Sequence, residues 1–175
     1  MAYLPNVDDI SKGLIFLDVA HNKIHDGNAY CINDTVACNT TTYKWQIVTP
    51  NSTTYMHLVF VLTCTGEATF LVTEGSDRGN GVAITVVNRR RIGTPKVAGG
   101  TIFIPTTSGS TDGAVTLFSM RNGITGAGGK SVETSSARAE NEWILKPNTK
   151  YIVSITTYAS VYISCQLDWY ELKEG

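Results

Sequence analysis

Charge is the first thing this sequence is short of. Asp, Glu, Lys and Arg make up 17% of its 175 residues, against about 25% in an average domain. The formal net charge is −1, which gives no general electrostatic case for nucleic acid or an anionic membrane. Long apolar runs are missing too. None reaches the 18 or so residues of a membrane helix, and the N-terminal MAYLPNVDDISKG lacks the basic-then-apolar pattern of a secretion signal. The expectation is a protein that is neither in a membrane nor exported by the general route. The four cysteines, Cys31, Cys38, Cys64 and Cys165, show no C-x-x-C spacing. That argues against a zinc framework and predicts free thiols in a reducing compartment. Three N-x-S/T sequons begin at Asn33, Asn39 and Asn51. Without a secretion signal they read as by-products of an Asn- and Thr-rich composition.

Catalytic signatures are also lacking. No GxSxG elbow occurs, and the carboxylates Asp8, Asp9, Asp26, Glu67, Glu74, Glu140, Glu142 and Asp168 are scattered along the chain. GITGAGGKS (Gly123–Ser131) approaches a phosphate loop, but Ile124 stands where G-x-x-x-x-G-K-S/T needs its first glycine. HNKIHDGNAY (His21–Tyr30) holds two of the three histidines, four residues apart. On a helix such a pair shares a face and binds zinc. Here Asp26-Gly27 follows at once, a hairpin-turn dipeptide. On a strand the two would stand about 13 Å apart, too far for one metal. The expected state is a turn with partly exposed histidines. No catalytic, cofactor-binding or metal-ligating residue is assigned, and no cofactor is expected.

What the chain does have is a period of two. In YMHLVFVLTC, Met56, Leu58, Phe60, Leu62 and Cys64 share one face, and the other face is also fairly apolar, which predicts a central strand covered on both sides. EATFLVTE follows after Thr65-Gly66, and the two read as a hairpin. KYIVSITT and VYISCQLDWY repeat the pattern around a turn at Tyr158–Ser160, and Lys146–Thr149 has turn chemistry. Further strands are expected at 14–20, 29–33, 43–48, 82–87, 101–104 and 114–120, with no confident helix. The length fits one domain, residues 1–175. About ten short strands predict an all-β, antiparallel β-sandwich, of jelly-roll or tumour-necrosis-factor-like type. Thr, Ser, Asn and Gly stand where charge is missing. That fits a surface covered by other subunits, and equally the ordinary Thr and Ser of exposed sheet faces.

Two loops interrupt the pattern. Glu74–Gly81 reads as a flexible turn. The Gly-rich stretch 121–141 is long for a structureless connection in a compact domain. One basic run, NRRRIGTPK (Asn88–Lys96), offers Arg89, Arg90 and Arg91 to phosphate or to a partner's carboxylates; a solvated loop is the competing reading. No aromatics interleave it, so stacking on single-stranded nucleic acid is not supported.

Taken in order, HNKIHDGNAY, IVTPNSTTYMHLVFVL, EATFLVTEG, VVNRRR, the Gly-rich stretch, ENEWILKPNTKYIVSIT and LDWYE resemble the small head decoration (cement) proteins of tailed bacteriophages. The resemblance covers nearly the whole chain and rests on segment order. It implies a structural virion protein on the capsid exterior, assembled in the host cytoplasm. It also implies a homotrimer that bridges major capsid proteins, with no nucleic-acid or membrane partner. The candidate capsid contacts are Arg89, Arg90 and Arg91 and the glycines Gly126, Gly128 and Gly129. The alternative is a receptor- or carbohydrate-binding β-sandwich of a tail fibre or baseplate, using Tyr43, Trp45, Tyr158 or Tyr162 to stack on sugar rings.

Overall fold

Alternating apolar and polar side chains build two sheets. The computed structural model describes residues 19–109, 111–123, 132–134 and 142–173. These hold a helix α1 (Val19–His25) and strands β1 (Ala29–Asn39), β2 (Thr42–Val48), β3 (Thr54–Cys64), β4 (Ala68–Glu74), β5 (Val82–Ile84), β6 (Val87–Asn88), β7 (Thr101–Ile104), β8 (Val115–Asn122), β9 (Val132–Thr134), β10 (Trp143–Leu145), β11 (Lys150–Thr157) and β12 (Ser160–Lys173). Sheet I runs β10-β3-β12-β1-β6, with β9 also paired to β3, and sheet II runs β5-β7-β2-β11-β4-β8. All the pairings are antiparallel.

The inward positions follow the period of two. Sheet I contributes Tyr30, Ile32, Met56, Leu58, Leu62, Ile163, Leu167 and Trp169, and sheet II contributes Trp45, Ile47, Phe70, Val72, Tyr151, Val153 and Ile155, all in one buried cluster. One carboxylate shares the inward register of β1. Asp34 accepts a hydrogen bond from the fully buried Trp45 indole, Nε1 to Oδ2 2.7 Å, giving that N–H the partner a buried tryptophan needs.

Several sequence expectations change here. β3 and β4 are not a hairpin, because β3 pairs with β12 and β4 with β11 and β8. Thr65–Glu67 carries the chain from one sheet to the other. Thr40-Thr41 does the same between β1 and β2, and Tyr158-Ala159 between β11 and β12. The register puts these three crossings at one end of the molecule, the corner end: Asn39 pairs with Ser160, Ile163 with Cys64 and Thr157 with Ala68. β3 is an interior strand as expected, but its outer face is buried only at His57 and Val59 and half-buried at Val61 and Thr63. The strand expected over 14–20 lies mostly outside the described residues, and its last two, Val19 and Ala20, are helical. The one expected over 82–87 splits into β5 and β6, which belong to different sheets.

The segment Glu74–Gly81 is pinned rather than flexible. It lies with residues 105–109 and 111–114 over the outer face of sheet II and buries Gln46 there. Gln46 Nε2 donates to Asn80 (2.8 Å), Lys150 Nζ donates to the Arg78 carbonyl (2.6 Å), and the Asp112 carboxylate takes both Lys44 (2.6 Å) and Arg78. Burial pushes the Asp112 carboxyl up. The hydrogen bonds from Arg78 and Lys44, and their charge, bring it net below the usual carboxylate range. A carboxyl lowered by folding adds stability above its unfolded value of about 3.9 and loses it as pH falls through the lower folded value. In thermal melts from about pH 5 down to about pH 2, wild type should therefore lose more stability than Asp112→Asn. Equal losses would show that this clamp does not contribute.

All four cysteines are free, and Cys38, Cys64 and Cys165 are buried. Burial pushes the Cys64 and Cys165 thiols up, Cys165 strongly, with Asp34 adding to it. A thiol reagent should leave these two untouched in the native protein and find both after denaturation. A Cys64–Cys165 disulfide would contradict this.

Candidate functional site

The arginine run sits at the end of the sandwich opposite the corners, against the start of β1. Its base is organised by Asn88, a buried residue. The Asn88 amide donates to the carbonyls of Gly27 and Lys96, both at 2.9 Å, and its oxygen accepts from the Arg90 backbone N–H at 2.8 Å. One side chain thus ties the turn after α1 to both ends of the loop. Arg89 N–H donates to the Ala29 carbonyl (2.9 Å), extending the β6–β1 ladder, and Lys96 Nζ donates to Asn28 Oδ1 (3.1 Å). Further on, the Glu171 carboxylate accepts the backbone N–H groups of Gly99 (3.0 Å) and Gly100 (2.9 Å). The loop therefore leaves and rejoins the sandwich at fixed points, with an exposed span from Arg91 to Val97 between them.

The three arginines differ in their surroundings. Arg89 lies 3.5 Å from Asp168 on the outer face of β12. Arg90 is half-buried, with its stem close over Gly27, and Arg91 is exposed. Neither Arg90 nor Arg91 has a carboxylate within salt-bridge distance among the described residues. Beside them the half-buried Cys31 thiol is pushed up by burial and by Asp168, with Arg89 and Arg91 pulling the other way. The net effect keeps it protonated, so the arginines do not create an activated thiolate.

Gly126, Gly128 and Gly129 lie outside the described residues. The flanks of their segment are placed: Asn122 pairs with Ala68 and Val132 with Cys64, both at the corner end. The two candidate contact elements are thus anchored at opposite ends of β1, whose eleven residues span roughly 35 Å.

The stretch that sequence reads as a turn is helix α1. Gly27 N–H bonds to the Ile24 carbonyl (3.0 Å) and Asn28 N–H to the Lys23 carbonyl (2.9 Å), with Gly27 at φ 72°. This is a Schellman helix stop, with glycine in the left-handed conformation it alone adopts without strain. His21 and His25 therefore share a face, with their Nε2 atoms 3.0 Å apart and both side chains exposed.

A polar cluster the sequence reading missed lies nearby. His57 Nδ1 is 2.7 Å from Glu142 Oε1, the Tyr170 hydroxyl donates to the same oxygen (2.6 Å), and the His57 ring stacks on Tyr170 at 4.5 Å. Among the described residues His57 Nε2 is buried without a hydrogen-bond partner. A carboxylate orienting an imidazole is the arrangement of a general base, but this free nitrogen is sealed from solvent rather than open to a substrate.

Of the aromatics considered for sugar stacking, Trp45 is fully buried and Tyr43 packs against it at 4.8 Å. Tyr158 has the Arg121 guanidinium 4.6 Å over its ring. Tyr162, 63% exposed, is the most open of the four. Neither a family model nor a curated protein nor a solved structure matches this chain.

Asn88→Ala removes the donor to two carbonyls and the acceptor for one N–H. It should cost about 1–3 kcal/mol of unfolding free energy and open the loop to trypsin at Arg89–Arg91. A variant digested no faster than wild type would show that Asn88 does not hold the loop.

Proposed function

We propose that this protein is a structural component of a virus particle, a decoration (cement) protein that binds the outer face of a tailed-phage head and stabilises the shell. The observation that carries the reading is the strand order. β1-β12-β3-β10 are successive neighbours in one sheet and β2-β11-β4-β8 in the other, and among these eight the chain changes sheet at every step except β4 to β8. This order supports a jelly-roll reading of the sandwich, an architecture recurrent in viral capsid and lectin domains. The resemblance in segment order to cement proteins points the same way.

The surface chemistry fits such a role. On the outer face of sheet I, Asn33, Thr35, Ala37 and Asn39 of β1 lie beside Tyr162, Ser164 and Gln166 of β12 and Val61 and Thr63 of β3. These residues carry no charge, which suits contact with a second protein without desolvating ions. A homotrimer closed by three-fold symmetry is the assembly this reading expects, with the major capsid protein as partner. The arginine loop supplies paired cations for shell carboxylates, and many copies per particle turn modest contacts into lasting attachment.

Gradient-purified particles from the source culture, imaged at near-atomic resolution, test the proposal. It requires this chain on the outer shell surface. Its absence from the particles, or its position in the tail with glycan binding, overturns it. Arg90→Ala/Arg91→Ala is the cleaner probe of the loop, because Arg89 also neutralises Asp168. In re-binding to stripped capsids, the double variant should keep its fold and oligomeric state but show lower occupancy. Wild-type occupancy should fall with added salt while the variant's changes less. Equal occupancy across the salt range would make these arginines a solvated loop.

A further inference from the structure

The histidine pair on α1 plays no part in the capsid reading. We propose that His21 and His25 form a surface site for one borderline divalent cation of the copper(II), nickel(II) or zinc(II) class, held through both Nε2 atoms.

The inference starts from the helix. Residues four apart on a helix lie one above the other on the same face, and here the two rings converge until their Nε2 atoms are 3.0 Å apart, with ring centroids at 4.7 Å. Metal–imidazole bonds are about 2.0–2.1 Å long. A cation at that distance from both nitrogens would subtend an angle of roughly 95° between them, close to the 90° of neighbouring positions in square-planar or octahedral coordination. Tetrahedral zinc would ask the rings to separate by about 0.3 Å, a small adjustment for exposed side chains. Imidazole suits copper, nickel and zinc, and among these copper(II) binds a given nitrogen site most tightly.

The surroundings permit the charge. Lys23, the nearest cation along the helix, is tied to Asp26 at 3.6 Å. The Schellman stop fixes the turn that carries His25, so the bite of the pair is set before the metal arrives. Among the described residues no third His, Cys, Asp or Glu joins them, so water fills the remaining positions and the cation is exchangeable. The 3.0 Å contact is a hydrogen bond when one of the two rings carries its proton on Nε2. Binding moves that proton to Nδ1 of the same ring, a change of tautomer with no net loss of a proton when both rings are neutral. Protons compete for the same nitrogens, so affinity falls as pH is lowered.

The test is copper(II) and nickel(II) titration of the tag-free full chain. The third histidine, His57, is buried, so it contributes little background. The expected result is one copper(II) per chain, with an electron-spin-resonance spectrum showing two equatorial nitrogens. His21→Ala and His25→Ala should each weaken binding at least about tenfold and lose the two-nitrogen signature. Alanine is the strongest helix former, and His21→Gln and His25→Gln run in parallel keep the comparison open if an alanine variant folds poorly. Wild type binding no more tightly than the single variants, or giving a one-nitrogen spectrum, overturns the proposal and leaves a hydrogen bond between two surface rings.

Discussion

The whole sandwich is hung on twenty-four consecutive residues. Lys150–Thr157 is an interior strand of sheet II, between β2 and β4, and Ser160–Lys173 is an interior strand of sheet I, between β1 and β3. β1 and β3 each align with β12 over eleven residues. They have no pairing with each other, so the sheet exists only through that middle strand. Ile163, Cys165, Leu167 and Trp169 then line the centre of the buried cluster. The two-residue crossing at Tyr158-Ala159 fixes the relative height of the two central strands, and the flanking strands take their registers from them.

Outside this frame, side chains replace ladders. The long connection from β4 to β8 is held down by individual polar groups: Gln46, Asp112, Asn88 and Glu171 each bond to segments distant in sequence. This gives the low charge content a structural meaning. Several of the few charges are committed inside the molecule, as with Asp112 to Lys44 and Arg78, Glu67 to Arg121 and Glu142 to His57. The outward positions of β1 and β12 from Asn33 to Asn39 and from Ser160 to Gln166 are left to uncharged residues, mostly Thr, Ser, Asn and Gln. A buried polar group stabilises only when its partners are met, so these pins also fix where the connection lies.

The period of two made most of the strands legible, and with them the inward rows of β3 and β12. Which strands pair was not legible. A connection of two or three residues such as Thr65–Glu67 serves a hairpin and a crossing between sheets equally well, and local sequence does not separate them. α1 was missed for a similar reason. Asp26-Gly27 supplies a left-handed glycine, which both a hairpin turn and a Schellman stop require, and seven residues carry too little periodicity to decide. The arginine run could be read directly, because charge needs no partner to be seen. Asn88, which holds that run in place, could not, since its role depends on the carbonyls of Gly27 and Lys96. The His57–Glu142 contact joins residues 85 apart in sequence, and nothing in either segment announces it.

The position of β12 has a consequence for how the protein is made. A ribosome delivers residues in order, and β1 and β3 emerge more than ninety residues before the strand that must lie between them. Until Ser160–Lys173 has left the exit tunnel, β1 has only the two-residue β6 beside it in its own sheet, and β3 only the three-residue β9 and β10. Sheet I therefore closes only when Ser160–Lys173 slots between partners made long before, and until then the apolar inward rows of β1 and β3 are exposed to the surface contacts that promote aggregation.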